Sequence, residues 1–319
     1  MIQDTLVYRI VLGFFRGLSR LPFSWLYALA DIGYVIVYHL ARYRRKVVRK
    51  NLQTSFPDMG ENEIRKTEKA FYHWFCDYII ESVKLLTISN EELRRRFTIN
   101  NAEAVEECFR NGQNAAGILG HYCNWEWLSC VGIALPPERR VGLIYHPLRN
   151  PVFDRLFIDI RSSQPSGLPV PKKEILRKLI ELKRQGHMSI FGYIADQGPK
   201  WDSIHLWLPF LGHDTPVFTG AERIMRKMDN AVFYVEMSRP RRGYYTCTFK
   251  PIAQHAAKTE EFAITRQFFA LLEETIRKAP QFYLWSHKRW KRTHEEFDRR
   301  FRTVNGKVVL RNDDNVNKE

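Results

Sequence analysis

Hydrophobic and polar positions along this chain change their period several times, and each change marks an element. Up to position 40 the pattern is almost continuously apolar and aromatic, broken by Arg9, Arg16, Arg20 and then Asp31. Residues 22–40 predict an apolar helix near the length that spans a bilayer, with Asp31 at its middle. A carboxylate at that depth favours a helix lying in the interface or entering it shallowly over a full span. No small-residue cleavage site follows, which argues against a signal peptide. Arg42, Arg44, Arg45, Lys46, Arg49 and Lys50 come next. A basic cluster behind an aromatic apolar segment predicts an anchor on anionic lipid.

Residues 51–58 predict a turn. Across 61–86, Ile64, Phe71, Trp74, Phe75, Tyr78, Ile79 and Val83 recur at helical spacing and predict a core-facing helix. Short apolar runs then alternate with helical patterns. Strands are predicted at 97–99, 115–119, 141–145, 188–195, 231–237 and 244–251. Helices are predicted before Gly112, around Phe153 to Ile160, and at 174–184, 219–228 and 262–278. Residues 162–171 predict a flexible loop, and the polar stretch after Phe301 a frayed tail. The alternation predicts an α/β fold: a mixed, largely parallel central sheet flanked by helices, with an N-terminal apolar membrane-associating helix. The implied organisation is a membrane anchor over 1–50, an α/β domain over 51–300 and a polar tail over 301–319.

Charge narrows the choice of partner. A net charge of +15 and a pI of about 9.6 ask for nucleic acid, an anionic membrane surface, or an acidic substrate or carrier. The basic residues are spread along the chain without a helix-turn-helix, zinc-finger or RNA-binding signature, so nucleic acid is not expected. Five cysteines with no Cys-x-x-Cys give neither a disulfide framework nor a zinc ribbon. They suit a reducing compartment.

The candidate chemistry sits in Gly117-Ile-Leu-Gly-His-Tyr-Cys-Asn-Trp-Glu-Trp-Leu128. His121 and Glu126 are five positions apart, which at about 100° per residue leaves them on different faces of a regular helix. They meet only if the backbone turns between them. Gly120 offers such a turn. Asn124 suits a helix N-cap and would put Glu126 in the first helical turn. From there a carboxylate can hold the imidazole in one tautomer and leave the other nitrogen to take a proton. The spacing fits equally a strand-end histidine beside a first-turn helix charge. A metal site is not expected, because the second histidine of a His-Glu-x-x-His pattern is missing.

Several further blocks accompany this stretch: Asn51-Leu52 with Phe56-Pro57; Tyr145-x-Pro147 with Asn150-Pro151 and Arg161; Asp196-Gln-Gly-Pro199; Pro209-Phe-Leu-Gly212; and Tyr283-x-Trp285-x-His287-x-Arg289-Trp290-Lys291. With Gly120-His121-x-x-x-x-Glu126 they resemble, in family order, the late acyltransferases of bacterial lipid A biosynthesis, within the glycerolipid acyltransferase superfamily. Three features depart from that pattern. The acidic residue is Glu126 where other branches carry Asp, Gly198 follows Gln197 directly, and the order is Tyr145-His146-Pro147 where Tyr-x-Arg-Pro is common. All three bear on acceptor and chain-length specificity.

The resemblance implies transfer of a fatty acyl chain from acyl carrier protein, or from acyl-CoA, to a hydroxyl of a lipid A precursor. His121 would be general base and Glu126 its orienter, with no covalent enzyme intermediate and no cofactor. It implies phosphate-holding roles for Arg149, Arg161 and Lys200, and acceptor-binding or site-ordering roles for Asn124, Asp196 and Gln197. His287, Lys288, Arg289 and Lys291 are expected to meet headgroups or the acidic carrier. The implied partners are acyl carrier protein, a lipid A precursor or related lipid, and an anionic membrane surface. The implied place is the cytoplasmic face of a bacterial inner membrane, peripheral, monotopic or with one N-terminal span. The alternative acceptor is an aminolipid or a lysophospholipid.

Overall fold

The computed structural model describes residues 5–163 and 167–311. Its central sheet is built from the short apolar runs. In chain order they are β1 (Phe97–Asn100), β2 (Ala115–Leu119), β3 (Arg140–Tyr145), β4 (Gly167–Pro171) and β5 (Ser189–Ile194). Next, β6 (Trp207–Phe210) and β7 (His213–Pro216) pair with each other outside the sheet. Then come β8 (Ala231–Arg241) and β9 (Tyr244–Ala253). The seven-stranded sheet runs β1-β9-β8-β2-β5-β3-β4. Only the β8–β9 pair is antiparallel. The mixed, largely parallel sheet is thus as the alternation predicted. All five residues of β2 are buried, as expected of a central parallel strand covered on both faces. In the β2–β5 register Leu119 lies opposite Ile194, so the two strands end side by side.

At the N-terminus α1 (Leu6–Arg20) and α2 (Phe23–Tyr34) are separated at Pro22, and α2 continues into a π-helical turn, Val35–Leu40. The run Phe23–Leu40 is long and apolar enough to cross a membrane, with mean hydropathy 1.2 and 17% of it buried. Leu6, Val7, Ile10 and Phe14 of α1 and Trp25 and Ile32 of α2 are exposed. Asp31 pairs with Arg242 of the β8–β9 turn at 2.6 Å. Arg242 also binds Asp77, which Arg239 holds at 2.6 Å.

Two more helices, α3 (Arg45–Ser55) and α4 (Glu61–Lys84), pack beneath. The predicted turn at 51–58 is therefore mostly helix. Val48 and Leu52 are fully buried one turn apart, and the Asn51 amide donates to the carbonyls of Trp285 and His287. Those contacts override the local turn signal. The basic cluster is divided: Arg45 and Arg49 pair with the fully buried Glu68, while Arg42, Lys46 and Lys50 stay exposed.

The remaining helices are α5 (Asn90–Arg96), α6 (Ala102–Arg110), α7 (Pro151–Arg161), α8 (Ile175–Arg184), α9 (Gly220–Met228), α10 (Ala263–Lys278) and α11 (His294–Arg300). Two loop expectations are corrected. Residues 167–171 form the edge strand β4, where Pro169 and Pro171 are tolerated because an edge leaves N–H groups unneeded; residues 164–166 lie outside the described residues. After Phe301 the chain forms a hairpin of β10 (Phe301–Val304) and β11 (Lys307–Leu310). Asn305 and Gly306 both have positive φ, the two-residue turn that matches strand twist. Phe301 packs on Ile204 and Phe297. The predicted tail over 312–319 lies outside the described residues.

Candidate active site

Two chain segments leave the sheet together, and their first polar residues meet. The Ala195 N–H donates to the Leu119 carbonyl at 3.0 Å, which carries the β2–β5 pairing past the strand ends. Two residues beyond Leu119 is His121, and two beyond Ile194 is Asp196. His121 Nδ1 lies 2.6 Å from Asp196 Oδ1. Gly120 serves close packing: a Cβ there would sit 2.8 Å from Leu272 Cδ1 of α10. The sharp turn comes at Cys123, with φ 56°. A third segment pins the loop. The Cys123 N–H donates to the Phe282 carbonyl at 2.8 Å and the Leu284 N–H to the His121 carbonyl at 3.1 Å.

The Asp196 carboxylate is 2% exposed. Burial pushes its carboxyl up. The charge and hydrogen bonds of His121, with the charge of Arg289, more than offset that and hold it below the usual aspartate range. An ionised Asp196 accepts, so Nδ1 carries the proton and Nε2 presents its lone pair. The Gln197 amide nitrogen lies 3.2 Å from that Nε2 and donates to it.

Glu126 is not the partner of His121, which corrects the local expectation. Arg161, in the last turn of α7, grips it with two hydrogen bonds, Nε to Oε2 at 2.9 Å and Nη2 to Oε1 at 2.7 Å. The Tyr78 hydroxyl adds a longer contact of 3.5 Å. Asp196 already holds Nδ1, and the 3-10 helix Trp125–Ala134 that follows Cys123 turns Glu126 towards α7. Glu126 is 3% exposed, and a bidentate guanidinium is the strongest partner a buried carboxylate can find. Burial pushes the Tyr78 hydroxyl well up, and the charge of Glu126 adds to it.

The other expected site residues divide by position. Asn124 is fully buried at the N-cap position of the 3-10 helix, as expected, with Glu126 in its first turn, but its side chain makes no cap hydrogen bond and its amide donates to Glu81 Oε2 at 2.9 Å; it does not line the cavity. Arg149 and Lys200 are exposed and stand outside the cavity walls. Gln197 and Arg161 line a cavity of about 590 Å³ with His121, Tyr145, Lys172 and Phe218. That volume is on the scale of a small-molecule site. Arg289 is 3% exposed, so it does not meet a headgroup at the surface; its Nη2 donates to the Pro216 carbonyl at 2.8 Å. Lys288 and Lys291 are exposed. Burial pushes the Cys123 thiol far up, so it is no nucleophile at neutral pH.

Tyr283, His287 and Arg289 are the supporting residues that local spacing does not reveal. They surround Asp196 from the segment that pins the loop. Burial, helped by the charge of Arg289 and opposed by Asp196, pushes His287 down to about 4 from 6.5. A histidine depressed in the folded state binds a proton more readily once unfolded, so between those two values acid favours unfolding. The depressed Asp196 works in the same direction: its ionised form stabilises the fold above its unfolded value, and that contribution is lost as the pH falls through the folded one. That second loss falls below pH 4, so between pH 7 and about pH 4.5 the drop in the urea midpoint comes from His287 and should be smaller in His287→Gln. An equal drop in that variant would remove His287 from the acid response.

With this geometry in hand, comparison with known proteins gives a consistent picture. Residues 2–292 match the family model described as bacterial lipid A biosynthesis acyltransferase. A "Lipid A biosynthesis acyltransferase" of Haemophilus influenzae is 22% identical, over 86% of this chain and 83% of that protein. The "Lipid A biosynthesis lauroyltransferase" of Escherichia coli K12 is 20% identical, over 88% and 90%. The "Lipid A biosynthesis palmitoleoyltransferase" of the same organism is 20% identical, over 78% and 79%.

Proposed function

Because the chain belongs to the bacterial lipid A biosynthesis acyltransferase family, we propose that it moves a fatty acyl chain from the thioester of acyl carrier protein to a hydroxyl of a lipid A precursor. One observation carries the chemistry: His121 has a buried carboxylate on Nδ1, lines a cavity of about 590 Å³, and has on its Nε2 only Gln197 of the same cavity wall. That is the base-and-orienter half of a triad, with the nucleophile left to the substrate.

The incoming hydroxyl displaces the Gln197 amide and donates to Nε2. As its oxygen attacks the thioester carbonyl, the C–O bond forms and the proton passes to Nε2. Asp196 stabilises the imidazolium. The displaced Gln197 amide is then near enough to donate to the carbonyl oxygen as it gains charge. Collapse breaks the C–S bond, and the thiolate takes the proton from His121. The Glu126–Arg161 pair builds the cavity wall and fixes α7 against the site loop. Glu126 takes Nε and Nη2 of Arg161, which leaves Lys172 on the same wall as the freer cation for a phosphate.

The net charge of +15 suits all three acidic partners: carrier protein, phosphorylated lipid and anionic membrane. The exposed apolar residues of α1 and α2 would hold the enzyme on the cytoplasmic face of the inner membrane. The test is to incubate full-length protein in mixed micelles with a tetra-acylated lipid A precursor and acyl carrier proteins bearing several chains, and read lipid masses. One added acyl chain is expected. Product from acyl-CoA alone would overturn the donor, and acylation of a lysophospholipid but not the precursor would overturn the acceptor.

A further inference from the structure

A second cavity, of about 50 Å³, lies against the sheet beyond the Glu126–Arg161 pair. It shares Trp125, Glu126, Ile144, Arg161 and Ile194 with the larger one, so the two adjoin. Away from these shared residues its walls are hydrocarbon, with Leu128, Val131, Val235 and Phe249 among them. Three of its lining residues, Gly117, Gly142 and Gly192, carry no side chain. Gly117 of β2 and Gly192 of β5 are register partners and so lie side by side on one face of the sheet. Glycine weakens the interior of a central strand and packs nothing, which is a reason to look for what approaches the backbone there. At Gly192 the missing side chain leaves space, whereas at Gly117 Val235 fills it.

We infer that this pocket receives the methyl end of the transferred chain, and that Gly192 sets how many carbons fit. This rests on the acyl transfer proposed above. The chemistry of the walls suits only unfunctionalised methylenes. At about 50 Å³ the pocket has room only for the last few such groups. Small substitutions at Gly192 are sterically allowed. Its Cβ would lie 3.6 Å from Leu143 Cδ2 and 3.7 Å from Leu119 Cδ2, ordinary contact distances. At Gly117 a Cβ would meet Val235 Cγ2 at 2.7 Å, so that position cannot be probed alone.

The experiment is competition among acyl carrier proteins loaded with a ladder of even-numbered saturated chains, at equal concentration, with a lipid A precursor as acceptor. In Gly192→Val the preference for the best wild-type chain over the chain two carbons shorter should fall by about tenfold or more, the worth of two methylenes denied burial. Gly192→Ala should give a smaller shift the same way, and Val131→Ala, which enlarges the pocket, a shift to longer chains. If Gly192→Val does not fold, the opposed shifts of the other two decide. A wild-type profile in folded variants, or a uniform loss at every length, overturns the inference. A wild-type enzyme that transfers no chain at all would instead refute the acyl transfer on which it rests.

Discussion

Asp196→Asn should lower kcat by about 10³- to 10⁴-fold while the protein stays folded and KM for the donor moves little. In the proposed reaction the carboxylate contributes in two ways. It accepts the Nδ1 proton, which fixes the tautomer, and its charge stabilises the imidazolium that forms during proton transfer. An asparagine carries no charge, and its amide can donate to Nδ1, which drives the proton to Nε2 and leaves no base facing the cavity. Glu126→Gln keeps the Nδ1 partner intact, so its kcat, corrected for folded fraction, should fall much less. The reverse order, with Glu126→Gln the more damaging to kcat, would return the carboxylate five residues along to the role of orienter and remove Asp196 from it.

The second large effect falls on stability. Arg161→Ala or Glu126→Ala strands a buried charge, which costs about 3–5 kcal/mol. Urea unfolding should show each loss, and the activity of each variant should fall with its cavity wall. The double substitution Glu126→Gln with Arg161→Met removes both charges and should recover most of the stability. Losses that simply add in the double variant would mean that the two side chains are not coupled, contrary to their bidentate geometry at 2.7 and 2.9 Å.

Sequence patterning reached the fold through features that are local. Short apolar runs such as 115–119 and 188–195 can satisfy their backbones only as strands buried between helices, and the parallel sheet follows. It reached His121 because an imidazole stood at a strand end within a recognisable block. It paired that imidazole with Glu126 because only neighbours along the chain are visible there. The observed partner is 75 residues away, and nothing short of knowing that β2 and β5 are adjacent would bring it close. Strand order is a tertiary fact, set by how helices cover the sheet. The C-terminal hairpin is different, since Asn305-Gly306 between Val304 and Lys307 is a legible turn, obscured by the polar composition around it. The helix at 45–55 was obscured by the opposite effect: its stabilising contacts, from Asn51 to Trp285 and His287, are long-range.

The polar groups buried under α2 change what the first 40 residues mean. Tyr27 donates to Glu81 at 2.9 Å, and Glu81 accepts in turn from Asn124, three residues from His121, and from Tyr245. Asp31 supplies one of the two carboxylates that neutralise Arg242. A protein trimmed of this segment for easier handling would differ in more than its first helices. It would expose Glu81 to water, halve the counter-charge on Arg242, and loosen the loop that carries His121. Solubilised preparations should keep the N-terminus and cover its greasy side with amphiphile.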